Sequence, residues 1–396
     1  MRRGPTPVGG RLLTPWFLSL SAMAAVGIGL VLWRYAVGLG AATAMSDGYP
    51  FGLWIAFDVV TGTALACGGY AMALIVYVLN KGRYHPLVRP AILTSALGYT
   101  IAGLSVVIDV GRPWLLWKVP LFPGRWNASS VMLEVALCIM SYVAVLWIEL
   151  APAFLERFRD SANPGLRWLA TRSRPLLDRG LPFIVALGLL LPTMHQSSLG
   201  SLMLLAETKL PPLWNQPALP MLFLVSCIAM GYAVVVLESS LAALAFRRPP
   251  ETRMLESIFG AAVIASGIWL VIRFVDLGVR GHLGDAFTFT GDAALFWTEI
   301  VLLLLPMGIW VSRRAQRRMG WLFRSAVLMA LSGALYRFNV YLVAFDPGPG
   351  WVYFPAVPEI LITVGLVAAE IVAYLAAVRY FPILVGVRPD PASPAT

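Results

Sequence analysis

Apolar runs long enough to cross a bilayer recur from one end of this 396-residue chain to the other. A helical crossing takes about 20 consecutive, mainly apolar residues. Ten such runs are readable, at about 13–37, 51–79, 89–110, 129–150, 181–206, 218–246, 254–278, 291–312, 319–345 and 355–380. The expected fold is therefore an all-α polytopic membrane protein with about ten transmembrane helices in a single integral membrane domain. Composition agrees: 13% of the residues are charged and 59% hydrophobic, whereas a soluble domain carries roughly 25% charged residues. The longest polar stretch, Glu156 to Gly180, reads as a connecting loop. The N-terminal MRRGPTPVGGR runs into apolar sequence without a small-residue cleavage site, so it reads as the approach to an uncleaved first span rather than a signal peptide.

A net charge of +10 raises the question of nucleic acid. The cations answer it by lying in the connections between spans, where the positive-inside rule accounts for them. One side carries Arg2, Arg3 and Arg11; Lys81, Arg83 and Arg89; six arginines between 157 and 179; Arg247, Arg248 and Arg253; five arginines between 313 and 324; and Arg379 and Arg388. The other side carries Arg112, Lys118, Arg125, Lys209 and Arg280. A bias of 22 to 5 places both termini in the cytoplasm, with the lipid bilayer and not nucleic acid as the surrounding partner. The sparse outer connections, RPWLLWKVPLFPGRW, LPPLWNQP and DPGPGWVYFP, are rich in Trp, Pro and Gly. Two readings stay open for them, interfacial anchoring and a rigid docking surface.

A repeat is visible. Gly69-Tyr70-Ala71 recurs as Gly231-Tyr232-Ala233, Asp109 with Arg112 recurs loosely as Asp276 with Arg280, and Glu134 and Glu299 each lie early in a span. The offsets of 162, 167 and 165 residues are similar enough to point to duplication. Both copies begin on the outer side, which makes the repeat parallel. Two four-helix bundles, 51–206 and 218–345, are expected, flanked by the helices at 13–37 and 355–380.

Charge inside hydrocarbon is costly and marks proton paths, substrate sites or partner charges. Asp58, Asp109, Arg112, Glu134, His195, Arg273, Asp276, Glu299, Arg337 and Glu359 all fall inside or at the ends of the spans, and a rise of 1.5 Å per residue puts most of them at one depth toward the outer side. That predicts a polar chamber. Asp109 and Arg112, three apart, are expected to pair on one helix face, as are Arg273 and Asp276. Glu299 and Arg337 complete the expected chamber ion pairs, and the competing reading is that such pairs only fix helix register. His195 lies near the middle of the fifth span, followed by Ser197, Ser198, Gly200 and Ser201. Glu149, Glu238 and Glu370 form an inner group, of which Glu238 and Glu370 can extend a proton path toward the cytoplasm. Cys67, Cys138 and Cys227 are scattered through the spans, which supports neither a disulfide framework nor a metal or iron–sulfur cluster in this chain.

A haem b in the membrane usually takes two His ligands. Of the three histidines, His85 and His282 fall in connections and only His195 is intramembrane, so no haem is expected. With no flavin, nucleotide or P-loop signature either, a redox role calls for a diffusible cofactor, and an exchangeable quinone fits a chamber of carboxylates and one imidazole.

The stretches at 47–71 (DGYPFGLWIAFDVVTGTALACGGYA), 79–91 (LNKGRYHPLVRPA), 130–140 (SVMLEVALCIM), 191–206 (LPTMHQSSLGSLMLLA) and 357–371 (VPEILITVGLVAAEI) resemble the NrfD/polysulfide-reductase membrane-subunit family, and within it the HybB-type branch of hydrogenase-2 "cytochrome b" membrane subunits. The resemblance implies a quinone-reactive subunit, working with menaquinone or ubiquinone and without haem. It would take electrons from a periplasmic ferredoxin-like iron–sulfur subunit wired to the large and small subunits of a nickel–iron hydrogenase. The family's proton-relay glutamate falls on Glu134 through the SVMLEV match. His195, Asp58, Asp109 and Arg112 are the expected quinone-binding residues, from depth as much as from motif. Within the family the alternative is a sulfur-metabolism complex, sulfite-reduction-associated or polysulfide/tetrathionate. Outside it stand a secondary transporter, against which the sequence shows no matched pair of Gly/Pro-broken half-helices, and a passive anchor, which has no need of buried carboxylates.

Overall fold

The computed structural model describes residues 5–248, 252–312 and 318–384. Arg2, Arg3, Arg313, Arg314, Arg317 and Arg388 of the charge count lie outside the described residues. Among these there are ten helices long and apolar enough to cross a membrane. They are α1 (Pro15–Val37), α2 (Trp54–Val78), α3 (Gly82–Asp109), α4 (Val131–Glu156), α5 (Pro164–Leu204), α6 (Leu219–Ala245), α7 (Thr252–Val279), α8 (Gly291–Val311), α9 (Met319–Val343) and α10 (Val357–Tyr380). The chain is an integral multi-pass membrane protein.

Several helices begin where the sequence supplies a cap. Thr14, Ser130, Asn163 and Thr290 each accept a backbone N–H from the first turn of α1, α4, α5 and α8, satisfying donors the helix cannot pair internally. Proline at the first position of α1 and α5 costs nothing there, because that N–H would be unpaired anyway. The N-cap at Asn163 also corrects the reading of Glu156–Gly180 as a loop. From Pro164 the chain is one helix of 41 residues, about 60 Å long at 1.5 Å per residue. That is twice the hydrocarbon thickness of about 30 Å, so its arginine-bearing first part runs beyond the membrane.

α2 is the axis of the molecule. It packs against α3, α6 and α9, while α1 and α10 lie together at one flank and α10 also touches α3. α4 runs along α5, α5 along α6, α6 along α7 and α9, and α8 along α9. Tight crossings rest on missing side chains: a Cβ on Gly231 of α6 would come 2.6 Å from the Cys67 carbonyl oxygen of α2, and one on Gly27 of α1 would come 2.7 Å from Gly365 Cα of α10. α2 is also irregular. Its first turns, Trp54–Thr61, and its last, Leu74–Val78, are π-helical, with a break at Ala66–Cys67 between them. Hydroxyls support the distorted backbone: Thr61 Oγ1 donates to the Ala56 carbonyl at 2.9 Å and Thr63 Oγ1 to that of Val59 at 2.6 Å. A third π-helical stretch, Asn339–Val343, ends α9. Such turns are rare and collect at functional sites.

Candidate functional site: three buried polar clusters

The single chamber expected from depth is divided among three clusters. The first lies where the C-terminal ends of α1 and α3 meet the N-terminal ends of α2 and α10. Glu359, fully buried in the first turn of α10, accepts the Ala356 N–H (2.8 Å), the Ala44 N–H (2.9 Å) and the Tyr353 hydroxyl (2.6 Å). Tyr353 in turn accepts the N–H of Leu53 at 2.8 Å, at the threshold of α2. Asp58, on the π-helical stretch of α2, accepts from Thr363 Oγ1 at 3.1 Å and also faces Ser105 of α3. Asp109 is the last residue of α3. It does not pair with Arg112, because the helix stops between them and Arg112 turns out exposed. The cation that Asp109 faces is Arg34 of α1, 2% exposed, whose guanidinium donates to the Val110 carbonyl at 2.9 Å. Arg34 was not among the expected chamber residues; a lone cation three residues before the end of an apolar run was the available signal.

The second cluster is central and joins α2, α3, α5 and α9. His195 is completely buried, edge-on to Tyr99 with ring centroids 5.6 Å apart, and near the backbone of Val135, the residue after Glu134. Neither of its ring nitrogens has a well-formed hydrogen bond among the described residues. Gln196 beside it donates to Thr63 Oγ1 (3.0 Å) and the Tyr99 hydroxyl (3.1 Å), leaving its own carbonyl oxygen unpaired. The serines that follow are not aimed at a ligand: Ser197, Ser198 and Ser201 bond back to carbonyls of their own helix. Arg337 of α9 was expected in an ion pair, and it has no carboxylate partner among the described residues. Its guanidinium donates to the carbonyl of Val60 on α2 (3.1 Å), to the carbonyl of Phe223 and to Ser226 Oγ (3.1 Å) on α6, and it lies 4.6 Å over the Phe223 ring. The π-helical turns that free backbone carbonyls in α2 make this arrangement possible.

The third cluster closes α7, α8 and α9 around Arg273 and Glu299, which pair at 2.8 Å. The predicted Arg273–Asp276 pair does not form; Asp276 takes Arg280 at 2.8 Å, one turn on. Arg273 is boxed by the rings of Trp269, Phe296 and Tyr336 at 4.9, 4.8 and 4.6 Å. Glu299 also accepts from Trp214 Nε1 (2.9 Å) and Asn339 Nδ2 (2.6 Å). The cluster is a buried ion pair walled by aromatic rings, with Asn339 Oδ1, Trp269 Nε1 and the Tyr336 hydroxyl lacking a hydrogen bond among the described residues.

Glu134 stands apart, half-buried in the first turn of α4 with no side-chain partner among the described residues, one turn before Cys138. Toward the arginine-rich side, Glu238 of α6 accepts from the Tyr374 hydroxyl at 2.6 Å. Glu370 of α10 lies within electrostatic reach of both Asp58 and Glu238, which strings three carboxylates from α2 through α10 to α6. Glu149 lies near Gly188 of α5, away from that string. Buried polar atoms without a well-formed hydrogen bond occur in all three clusters: at Asp109, Ser105 and Arg34, at His195, Gln196 and Arg337, and around Arg273, Glu299, Trp269, Tyr336 and Asn339. Buried polar atoms normally have partners, so such a concentration asks for an explanation. Among the described residues no group of three or more His, Cys, Asp or Glu is placed to hold a metal ion, and the three cysteines are free and buried.

An all-helical membrane protein with buried imidazole, guanidinium and carboxylate groups between its spans belongs among the polytopic subunits that handle charge inside the bilayer. The protein is a member of the family described as Polysulphide reductase, NrfD, whose model matches residues 41–345. It is 40% identical to the "Probable Ni/Fe-hydrogenase 2 b-type cytochrome subunit" of Escherichia coli, over 97% of this sequence and 96% of that one. It is 27% identical to the "Menaquinone reductase, integral membrane subunit" of Nitratidesulfovibrio vulgaris, over 88% and 86% of the two sequences. With the C subunit of the polysulfide reductase of Wolinella succinogenes the identity is 26% over 62% of this sequence and 77% of that one.

One expectation is corrected by these relatives. Haem was excluded from the histidine count, and the Escherichia coli protein is named a b-type cytochrome subunit, which points to haem. His195 is the one histidine fully buried within a span, so it is the residue that would hold a haem iron, an alternative to the quinone contact proposed below. A haem bound there would supply one-electron storage. His282 bonds Asp285 at 3.0 Å in the connection between α7 and α8, and His85, in the first turns of α3, packs edge-on to Tyr77.

Proposed function

We propose that this protein is the quinone-reactive membrane subunit of a respiratory nickel–iron hydrogenase complex in a bacterial cytoplasmic membrane, both termini cytoplasmic. Electrons arrive from a periplasmic ferredoxin-like iron–sulfur subunit that is wired to the hydrogenase large and small subunits, and they reduce menaquinone or ubiquinone. The observation that carries the reading is His195: a fully buried imidazole with two unspent nitrogens beside an amide and a phenol. A quinone carbonyl needs such a donor, and its reduction needs protons as well as electrons. Glu134 is the residue we assign to proton relay, since it can exchange protons at the half-buried start of α4. The string Asp58–Glu370–Glu238 offers the inner path. Asp109 and Arg34 line the outer approach, while exposed Arg112 sits at its rim. Under the repeat at 51–206 and 218–345 Glu299 is the counterpart of Glu134: one carboxylate is buried in a pair with Arg273, and the other is half-buried without a side-chain partner among the described residues, free for proton exchange.

A hydrogenase partner is favoured over a polysulfide or other sulfur-metabolism complex by the 40% identity running over 97% of the sequence, against 26% over 62% for the polysulfide reductase subunit. The test uses membrane vesicles from cells with and without this protein. Hydrogen-dependent reduction of a short-chain menaquinone should require it, while hydrogen-dependent reduction of a soluble dye should not. Equal quinone reduction without it would defeat the proposal.

A further inference from the structure

The arginine-rich side of the molecule holds a cavity of about 230 Å³ between the ends of α3 and α4 and the extended first part of α5. We propose that it is a binding site for the headgroup of an anionic phospholipid from that leaflet. Three guanidinium groups line it: Arg89, Arg159 and Arg174. The first is committed, since Arg89 makes a two-pronged bond to Glu156 at 2.7 and 2.8 Å. Arg174 is held loosely by Asp178 at 3.6 Å, with both side chains more than half exposed. Arg159 has no side-chain partner among the described residues. Two guanidinium groups of unspent or weakly spent bonding capacity therefore face one small space, and planar guanidinium matches a phosphate with paired N–H donors. The sequence around it is cationic: six arginines against three acids between 152 and 181.

The opposite wall decides between a lipid and a soluble anion. Leu155, Leu177 and Leu181 line the same cavity, and they offer nothing to free phosphate. The apolar surface continues outward along α5, where Leu176 and Phe183 are 74% and 75% exposed. A lipid has both halves of this chemistry, a phosphate for the arginines and acyl tails for the leucine wall running into the α4–α5 groove. Basic pockets between transmembrane helices on the cytoplasmic side are where anionic headgroups bind. The occupant would also brace α5 where it leaves the hydrocarbon.

The test is a lipid titration of the delipidated full-length protein, read by native mass spectrometry. Dioleoylphosphatidylglycerol should bind at least about tenfold tighter than dioleoylphosphatidylcholine. The double variant Arg159→Gln, Arg174→Gln should lower phosphatidylglycerol affinity about 25-fold, at about fivefold for each surface cation lost, with phosphatidylcholine binding unchanged. Should the double variant not fold, Arg159→Gln alone carries the measurement, because its side chain makes no bond whose loss disturbs the fold. Equal binding of the two lipids, or no loss in the variants, overturns the proposal. So does displacement of bound phosphatidylglycerol by 10 mM inorganic phosphate (a concentration of roughly this order suffices for a soluble-anion site), which would identify a phosphate pocket instead.

Discussion

Arg273 and Glu299 meet at 2.8 Å with neither side chain exposed at all. Their charges are compensated only by each other, by three aromatic rings and by Trp214 and Asn339. Removing one partner of such a pair leaves an uncompensated buried charge, at a cost of about 3–5 kcal/mol. Glu299→Ala should therefore lower the thermal unfolding temperature in detergent sharply. The double change Arg273→Met, Glu299→Leu should recover most of the loss. It stops short of all of it, because Trp214 Nε1 and Asn339 Nδ2 then lack their acceptor. A single variant as stable as wild type would show that the pair does not hold α7 to α8.

Tyr353 ties the outer loop to two helices at once, accepting from Leu53 and donating to Glu359. Burial and the neighbouring Glu359 carboxyl push its phenol above the ordinary tyrosine value. A raised folded value means that the tie contributes fully below the unfolded value of about 10 and is lost as pH rises beyond it. Tyr353→Phe should cost about 1–3 kcal/mol, the penalty for unpaired buried partners. In thermal melts the gap between wild type and variant should stay constant from pH 6 to about 9 and narrow only above about 10.

His195→Ala should raise the apparent Michaelis constant for quinone about tenfold, the worth of one lost buried hydrogen bond. Hydrogen-dependent dye reduction should be unaffected. If only the melting temperature moved, His195 would be a packing residue.

Glu134→Gln keeps the shape of the side chain and removes its proton. Assembly and dye reduction should survive, and quinone-linked turnover should fall about a hundredfold or more, the usual scale for a lost acid–base group. Normal quinone turnover in this variant would remove Glu134 from the proton route.

Trp117 and Trp351 stand on the α3–α4 and α9–α10 connections, on the side proposed to be periplasmic, with 51% and 44% of their surface exposed. Cysteines placed there should cross-link to the iron–sulfur subunit, because the outer loops present rigid aromatic surface above the polar clusters. A cysteine at Arg172, on the first part of α5, should not. Capture from Arg172 alone would place the partner on the other face.

The apolar runs by themselves determined the ten spans, since crossing hydrocarbon is a local demand that each segment meets from its own composition. They also marked which charges are costly: Glu299, Arg337, Asp58 and His195 are each within 4% of full burial. What the runs do not carry is partner choice. Arg273 chose Glu299 over Asp276, three residues away, because α8 presents its carboxylate inside the aromatic box and Asp276 points to Arg280. Arg337 found carbonyls rather than a carboxylate because the π-helical turn of α2 exposes the oxygen of Val60. Arg34 meets Asp109 only where α1 folds back onto α3. The first part of α5 hid its helix behind closely spaced arginines and an internal proline, Pro175, a pattern that polarity alone assigns to a loop. Depth along one helix is written in the sequence. Which side chains share that depth and also face one another depends on how ten helices pack, and only the tertiary structure divided one expected chamber into three.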